Sequence, residues 1–291
     1  MIWLTFLPAG ITLALGVLLG RVGLPLHPVW TARVLCTVAA MTVPAAAGTL
    51  GFVAVNFWAT LEPAAAGRMP EWALFGDDEP VPVPLGVAAI VLLVAGLCVT
   101  LRLASRWVAE VRSAQDLAQS LLESDVPMAV SVPGRRGGVL ASRGLYQVLG
   151  AAELEVVFHH EASHLRHGHH RYLAAGSLAA GLLPPLRRLN GRMRFSLERW
   201  ADEDAAEAVA DRELVALTIA RVALLQPSGE PGPLPAFADS GILRRVEALM
   251  ARAPGRNPVT GPVSLLGTGL VTGALALTAL QIDHAFTHAF L

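Results

Sequence analysis

Residues 159–171 read His-His-Glu-Ala-Ser-His-Leu-Arg-His-Gly-His-His-Arg, and within them His160-Glu161-Ala162-Ser163-His164 matches the pattern HExxH. On a helix, residues four apart share a face, so the imidazoles of His160 and His164 can reach one Zn²⁺ at about 2.0–2.1 Å. Glu161, beside the first His, is placed to take a proton from water at the metal instead of ligating it. The chemistry this spacing points to is metal-assisted hydrolysis. The bland reading is a solvated basic patch at a helix end. Placement on a helix with an apolar face, supplied by Leu154, Val157 and Phe158, argues against it.

A catalytic zinc needs a third protein ligand and leaves its fourth position open. Two candidates compete. Glu198 lies in Leu197-Glu198-Arg199-Trp200-Ala201-Asp202, where Asp202 follows one turn later and can hold a ligand His by its other ring nitrogen. That pair also reads as part of a solvated acidic face, with Glu203, Asp204 and Glu207 close by. His170 is the rival, because it falls where the longer pattern HExxHxxGxxH puts its third His. That pattern wants glycine at position 167, where this chain has His167, and Gly168 comes one residue late. The spacing favours Glu198. The other histidines take plainer readings: His159 points away from His160, while His167 and His169 are expected to be solvated at the helix end.

The elements that must position these groups lie in a chain of unusual composition. Hydrophobic residues make up 54% and charged residues 15% of its 291 positions. The mean hydropathy is +0.53. Four apolar runs are long enough to span a bilayer, which takes roughly 20 residues: Ile2 to Leu19, about Val34 to Ala59, about Pro84 to Leu101, and about Pro262 to Ile282. The first lacks a basic leader, which argues against a cleaved signal peptide. Cys36 and Cys98 fall inside apolar runs and read as small hydrophobes, not as a disulfide. The net charge of −1 gives no indication of a direct nucleic-acid partner.

Arginine placement sets an expected orientation. Arg21 and Arg33 follow the first run, Arg102, Arg106 and Arg112 follow the third, and Arg252 and Arg256 precede the fourth. The loop between the second and third runs carries Glu62, Glu71, Asp77, Asp78 and Glu79 against Arg68 alone. The positive-inside bias then places the N-terminus outside and the middle region in the cytoplasm, with a short tail outside after the fourth span.

This reading divides the chain in three. Residues 1–103 hold three transmembrane helices and their loops, 104–259 a cytoplasmic α+β domain, and 260–291 the fourth span and tail. In the middle domain, Ser105 to Glu123 continues the third span as a helix. Pro127 to Val132 and Gly138 to Ala141 are short β runs around a turn. Ala151 to about His167 and Arg194 to about Val215 are helices, and Gln226 to Ala236 is a loop. Residues 172–186 form an apolar stretch closed by Pro184-Pro185, too short for an ordinary span. Arg166 and Arg171 precede it, and Arg187, Arg188, Arg192 and Arg194 follow, so both ends face the cytoplasm and the stretch should dip into or pack on the membrane. Were it to span, Glu198 would lie about 30 Å from the histidines, on the wrong face.

Three spans, a cytoplasmic HExxH domain, a downstream ExxxD helix and a last span resemble the BlaR/MecR-type antirepressor metallopeptidases. Pro127–Val132, Gly138–Leu145 and Glu153–His164 are similar to that family's strand, strand and HExxH helix, and Glu198 and Asp202 to its ExxxD element. The resemblance implies a mainly α membrane protein with a zincin-like (gluzincin) domain between its third and fourth spans. It further implies zinc ligation by His160, His164 and Glu198, with Glu161 as base. The implied substrate is a cytoplasmic protein, a DNA-binding transcriptional repressor or the chain itself. Two departures stand out. His169 occupies a position that is usually Asp in such proteins. The extracellular penicillin-binding sensor is not found after the fourth run, so β-lactam sensing is not expected. Three other readings compete. One is an HtpX-like quality-control protease of the membrane. The others are a catalytically silent metal-binding scaffold and a metal sensor or transporter using the six histidines at 159–170. A transport path calls for intramembrane ionisable residues, which the four runs nearly lack.

Overall fold

The structure is a computed structural model, and it describes residues 5–62, 64, 67, 74, 80–116, 123–134, 137–225 and 240–278. Among the described residues it is mainly helical, with one small antiparallel sheet. Helix α1 covers Leu7–Leu19, α2 Pro28–Leu61 and α3 Val83–Asp116. Strands β1 (Ala129–Val132) and β2 (Gly138–Ala141) follow, then α4 (Arg143–Val148), α5 (Ala151–Arg166) and α6 (His169–Leu182). After a 3-10 turn at Pro184–Leu186 come α7 (Arg187–Val209), α8 (Arg212–Leu225), α9 (Ser240–Met250) and α10 (Thr260–Thr278).

Among the described residues, two helices are long and apolar enough to cross a membrane: α2, and α3 over Val83–Ala109. Helices also form at the first and fourth apolar runs, as α1 and α10. Helix α2 is the hub of this half, packing against α1, α3, α6, α7 and α10. Pro28 opens it, where a missing N–H costs nothing, and the His27 ring accepts from the Val29 N–H. Buried Thr42 satisfies its hydroxyl within the helix, donating to Val38 O at 2.7 Å, the bond that lets a polar side chain sit in apolar packing.

Helix α7 joins the two halves of the molecule. Leu186, Leu189 and Met193 are buried with Leu35, Val38 and Ala39 of α2 and Ala179 of α6. One end of α1 lies directly on this segment: a Cβ at Gly20 would fall 2.8 Å from the Leu189 backbone nitrogen, so only glycine fits. Arg192 donates to the Leu19 carbonyl at 2.9 Å and also to that of Val22, satisfying groups at the C-terminal end of α1. Farther along α7, Ala205 and Ala206 pack with Val156 of α5, Val215 and Ala216 of α8, and Leu249 of α9.

The expected helix over Arg194–Val215 is corrected on two counts. It begins earlier, at Arg187, and it breaks at Ala210, whose φ of 54° turns the chain into α8. The apolar stretch at 172–186 is helix α6 plus the 3-10 turn, packed against α2 and α3. The third run does continue as one helix, through Asp116. The loop expected at Gln226–Ala236, the continuation expected over 117–122 and the end of the fourth run lie outside the described residues.

Candidate metal centre

Helix α5 is anchored by the apolar face read from its sequence. Leu154, Val157 and Phe158 pack on Ala141, Leu145 and Leu149 of the hairpin and α4. Its N-terminus is tied by Glu153, which accepts from the Gly150 N–H at 2.8 Å and pairs with Arg221 of α8. Its C-terminus is tied to α7, where Asp204 accepts from Ser163 Oγ at 2.7 Å and from His167 Nε2 at 2.9 Å. The face between these anchors turns toward α7 and carries the motif.

His160, His164 and Glu198 come together, each able to offer one ligand atom. The two histidine Nε2 atoms are 3.2 Å apart. Glu198 Oε2 lies 3.6 Å from His160 Nε2, and Glu198 Oε1 lies 3.7 Å from His164 Nε2. Tetrahedral zinc with bonds of about 2.0–2.1 Å needs ligand–ligand edges of roughly 3.3 Å. The donor set and its spacing therefore fit such an ion. His170 is not part of this group; among the described residues the triad that gathers is the one with Glu198.

Behind the triad, His160 Nδ1 faces Asp202 Oδ1 at 3.1 Å. Asp202 is fully buried, and Arg245 of α9 grips both its oxygens, Nε to Oδ2 at 2.8 Å and Nη2 to Oδ1 at 2.6 Å. Arg245 Nη1 also stands 3.0 Å from Glu198 Oε2. On the other side, His164 Nδ1 lies 2.8 Å from His169 Nδ1. The expectation that His169 is solvated is overturned: it is 1% exposed, walled by the rings of Trp200 and Tyr172, and its Nε2 has no hydrogen-bond partner. His167 likewise is not a free surface group but stacks near Trp200 and pairs with Asp204. The turn at Gly168, with φ of 63°, ends α5 and folds His169 back under His164; glycine adopts this conformation without a Cβ penalty.

Electrostatics separate these groups. Burial opposes charge on His160, but its bonds to Asp202 and Glu198 outweigh that and raise its pKa to about 10. Burial lowers His164 to about 4 and His169 to about 3. Burial also works against the carboxylates of Glu198 and Asp202, yet the Arg245 guanidinium holds both below the usual carboxylate range. Glu161 moves the other way: burial, more than any partner, pushes it up. Ser131 of β1 lies beside it and works weakly against that shift.

Two of these residues escaped sequence reasoning, and His169 was misplaced by it. Arg245 sits 43 positions from Asp202, and no local pattern picks it out among 22 basic residues. Ser131 lies in an unremarkable β run. His169 had a signal in the glycine before it, which marks where a helical projection stops being valid. Compared with known proteins, the chain matches no family model, no curated protein and no solved structure.

Proposed function

We propose that this chain is a membrane-embedded zinc endopeptidase of the HExxH gluzincin type, with its site on the cytoplasmic side of a four-span protein. The observation that carries the reading is the triad itself. Two imidazole nitrogens and a carboxylate from separate helices converge at tetrahedral edge distances, with Glu161 next in sequence to a ligand and not among the ligands. Zinc, when bound, would supply Lewis acidity toward a peptide carbonyl and toward water. The chain's own residues do the rest. Asp202 orients His160, and Glu161, with its pKa raised by burial, is poised to take a proton and pass it to a leaving amine.

The hairpin supports a peptide as substrate. Ser142 N–H donates to Met128 O, so the pairing alternates from there and Ser131 falls in a non-hydrogen-bonded pair with Val139. Ser131 thus turns its backbone groups to the outer edge of β1, beside Glu161. An extended peptide added along that edge would run past the base. By resemblance, the substrate is a cytoplasmic repressor or the chain itself.

Two helices of spanning length support the membrane setting, and the arginine distribution supports the orientation. Metal analysis of purified wild type and Glu161→Gln, joined to a self-cleavage assay, tests the proposal. Zinc in both with cleavage in wild type alone is the expected result. Zinc in both with cleavage in neither leaves a silent scaffold, and a zinc-free wild type removes the metalloenzyme reading.

A further inference from the structure

Two arginines fasten α9 to α7. Arg212, at the start of α8, pairs with Glu203 and donates to the Ala248 and Leu249 carbonyls at 3.1 and 3.0 Å, securing the C-terminal end of α9. Arg245, in the middle of α9, spans Asp202 and Glu198. Only the second contact reaches the metal centre, and it is the less exposed of the two: the Arg245 side chain is 14% exposed against 27% for Arg212.

Three carboxylates crowd this site: Glu161, Glu198 and Asp202. Removing such groups from water is unfavourable unless cations stand beside them. A divalent ion contributes two positive charges and Arg245 one, which together balance the three. Without the ion, His160 and Arg245 are the groups able to carry positive charge that face both Asp202 and Glu198 among the described residues, and the guanidinium is the one that keeps its charge at any working pH. Its geometry matches the task, since a planar guanidinium can hold Asp202 with two parallel bonds while a third nitrogen reaches Glu198.

We infer that Arg245 is the standing countercharge of the metal centre, a positioning residue that keeps Asp202 and Glu198 buried and aligned before any metal arrives. This inference rests on the metal-centre reading proposed above. It makes α9 an obligatory part of the site, although α9 supplies no ligand. It also predicts an asymmetry that packing alone does not produce. Loss of the charge should harm the metal-free protein more than the loaded one, because the bound ion takes over part of the neutralisation.

The test is thermal unfolding of the full chain in detergent, after chelator dialysis and again with added zinc chloride, for wild type, Arg245→Lys and Arg245→Met. Arg245→Met should lower the midpoint of the zinc-free protein by several degrees more than that of the loaded protein, widening the zinc-dependent rise. Arg245→Lys keeps the charge and should recover most of the zinc-free loss, which keeps the test decisive should Arg245→Met fail to fold without metal. Equal losses in both forms, or no recovery by lysine, overturn the countercharge role and leave the metal centre standing. A wild type with no zinc-dependent shift removes both.

Discussion

His160 and His164 stand four residues apart on one helix and present the same atom to the same point, yet they are supported from behind in opposite ways. His160 leans on an anion, Asp202, which is itself clamped by Arg245. His164 leans on the neutral ring of His169, set in a wall of aromatic side chains. Burial opposes charge on both histidines, but the carboxylates beside His160 raise it to about 10 while His164 falls to about 4. The contrast teaches that HExxH specifies which atoms can face a metal but not how strongly each would donate. A carboxylate behind an imidazole raises its basicity, and a neutral ring does so far less. The two ligands should therefore differ in strength, with His160 the strong donor and His164 the weak one.

The largest expected effect leaves both supports untouched. Glu161→Gln should cost about 10²–10⁴-fold in hydrolysis, the ordinary range for a lost general base, with zinc content unchanged. Loss of zinc from that variant would mean Glu161 is a ligand and the comparison has the wrong members. Next come the supports. Asp202→Ala should weaken zinc binding by about 10–100-fold in chelator competition, the usual scale for removing a carboxylate behind a ligand. Glu198→Ala should strip zinc from the site while His170→Ala retains it. Retention without Glu198 and loss without His170 would break the triad.

A pH series sharpens the contrast further. With no metal, His160 has its pKa raised from 6.5 to about 10, so its charge stabilises the fold fully below about pH 6.5 and the benefit fades as pH climbs toward about 10. Zinc must displace that proton, so apparent affinity should rise about tenfold per pH unit across this window. His164, already neutral above about 4, adds nothing to the slope there. Asp202→Ala should flatten the slope in the upper part of the window. An unchanged slope in that variant would assign the proton elsewhere.

The parts of this site legible in the sequence are those carried by a single helix. Helical spacing puts His160 and His164 together, Leu154, Val157 and Phe158 mark the buried side of α5, and Glu198 with Asp202 forms a one-turn pair on α7. Legibility ends where a chain reversal or a distant element intervenes. Gly168 turns the chain by a positive φ, so projecting the helix onward put His169 in solvent when it lies buried. Ala210 breaks α7 from α8 with no glycine or proline to signal it. Arg245 comes from a helix whose docking on α7 depends on tertiary packing, which periodicity does not encode.

The smallest expected effect lies at His169, and it tests the neutral half of the comparison. For His164 to face a metal through Nε2, its ring proton must sit on Nδ1 and be donated to His169 Nδ1, 2.8 Å away. His169 then carries its own proton on Nε2, the atom with no hydrogen-bond partner. What His169 supplies is an acceptor in a fixed place, not a charge: burial drives its pKa down to about 3, so it stays neutral through the working range. His169→Asn keeps an acceptor of similar size and should bind zinc almost as wild type does. His169→Leu leaves the buried His164 N–H without a partner and should weaken binding, though by less than Asp202→Ala, because no charge is lost. Chelator competition on the three variants side by side ranks them. Should His169→Leu cost more than Asp202→Ala, the neutral ring would be the stronger support and the asymmetry between His160 and His164 would run the other way.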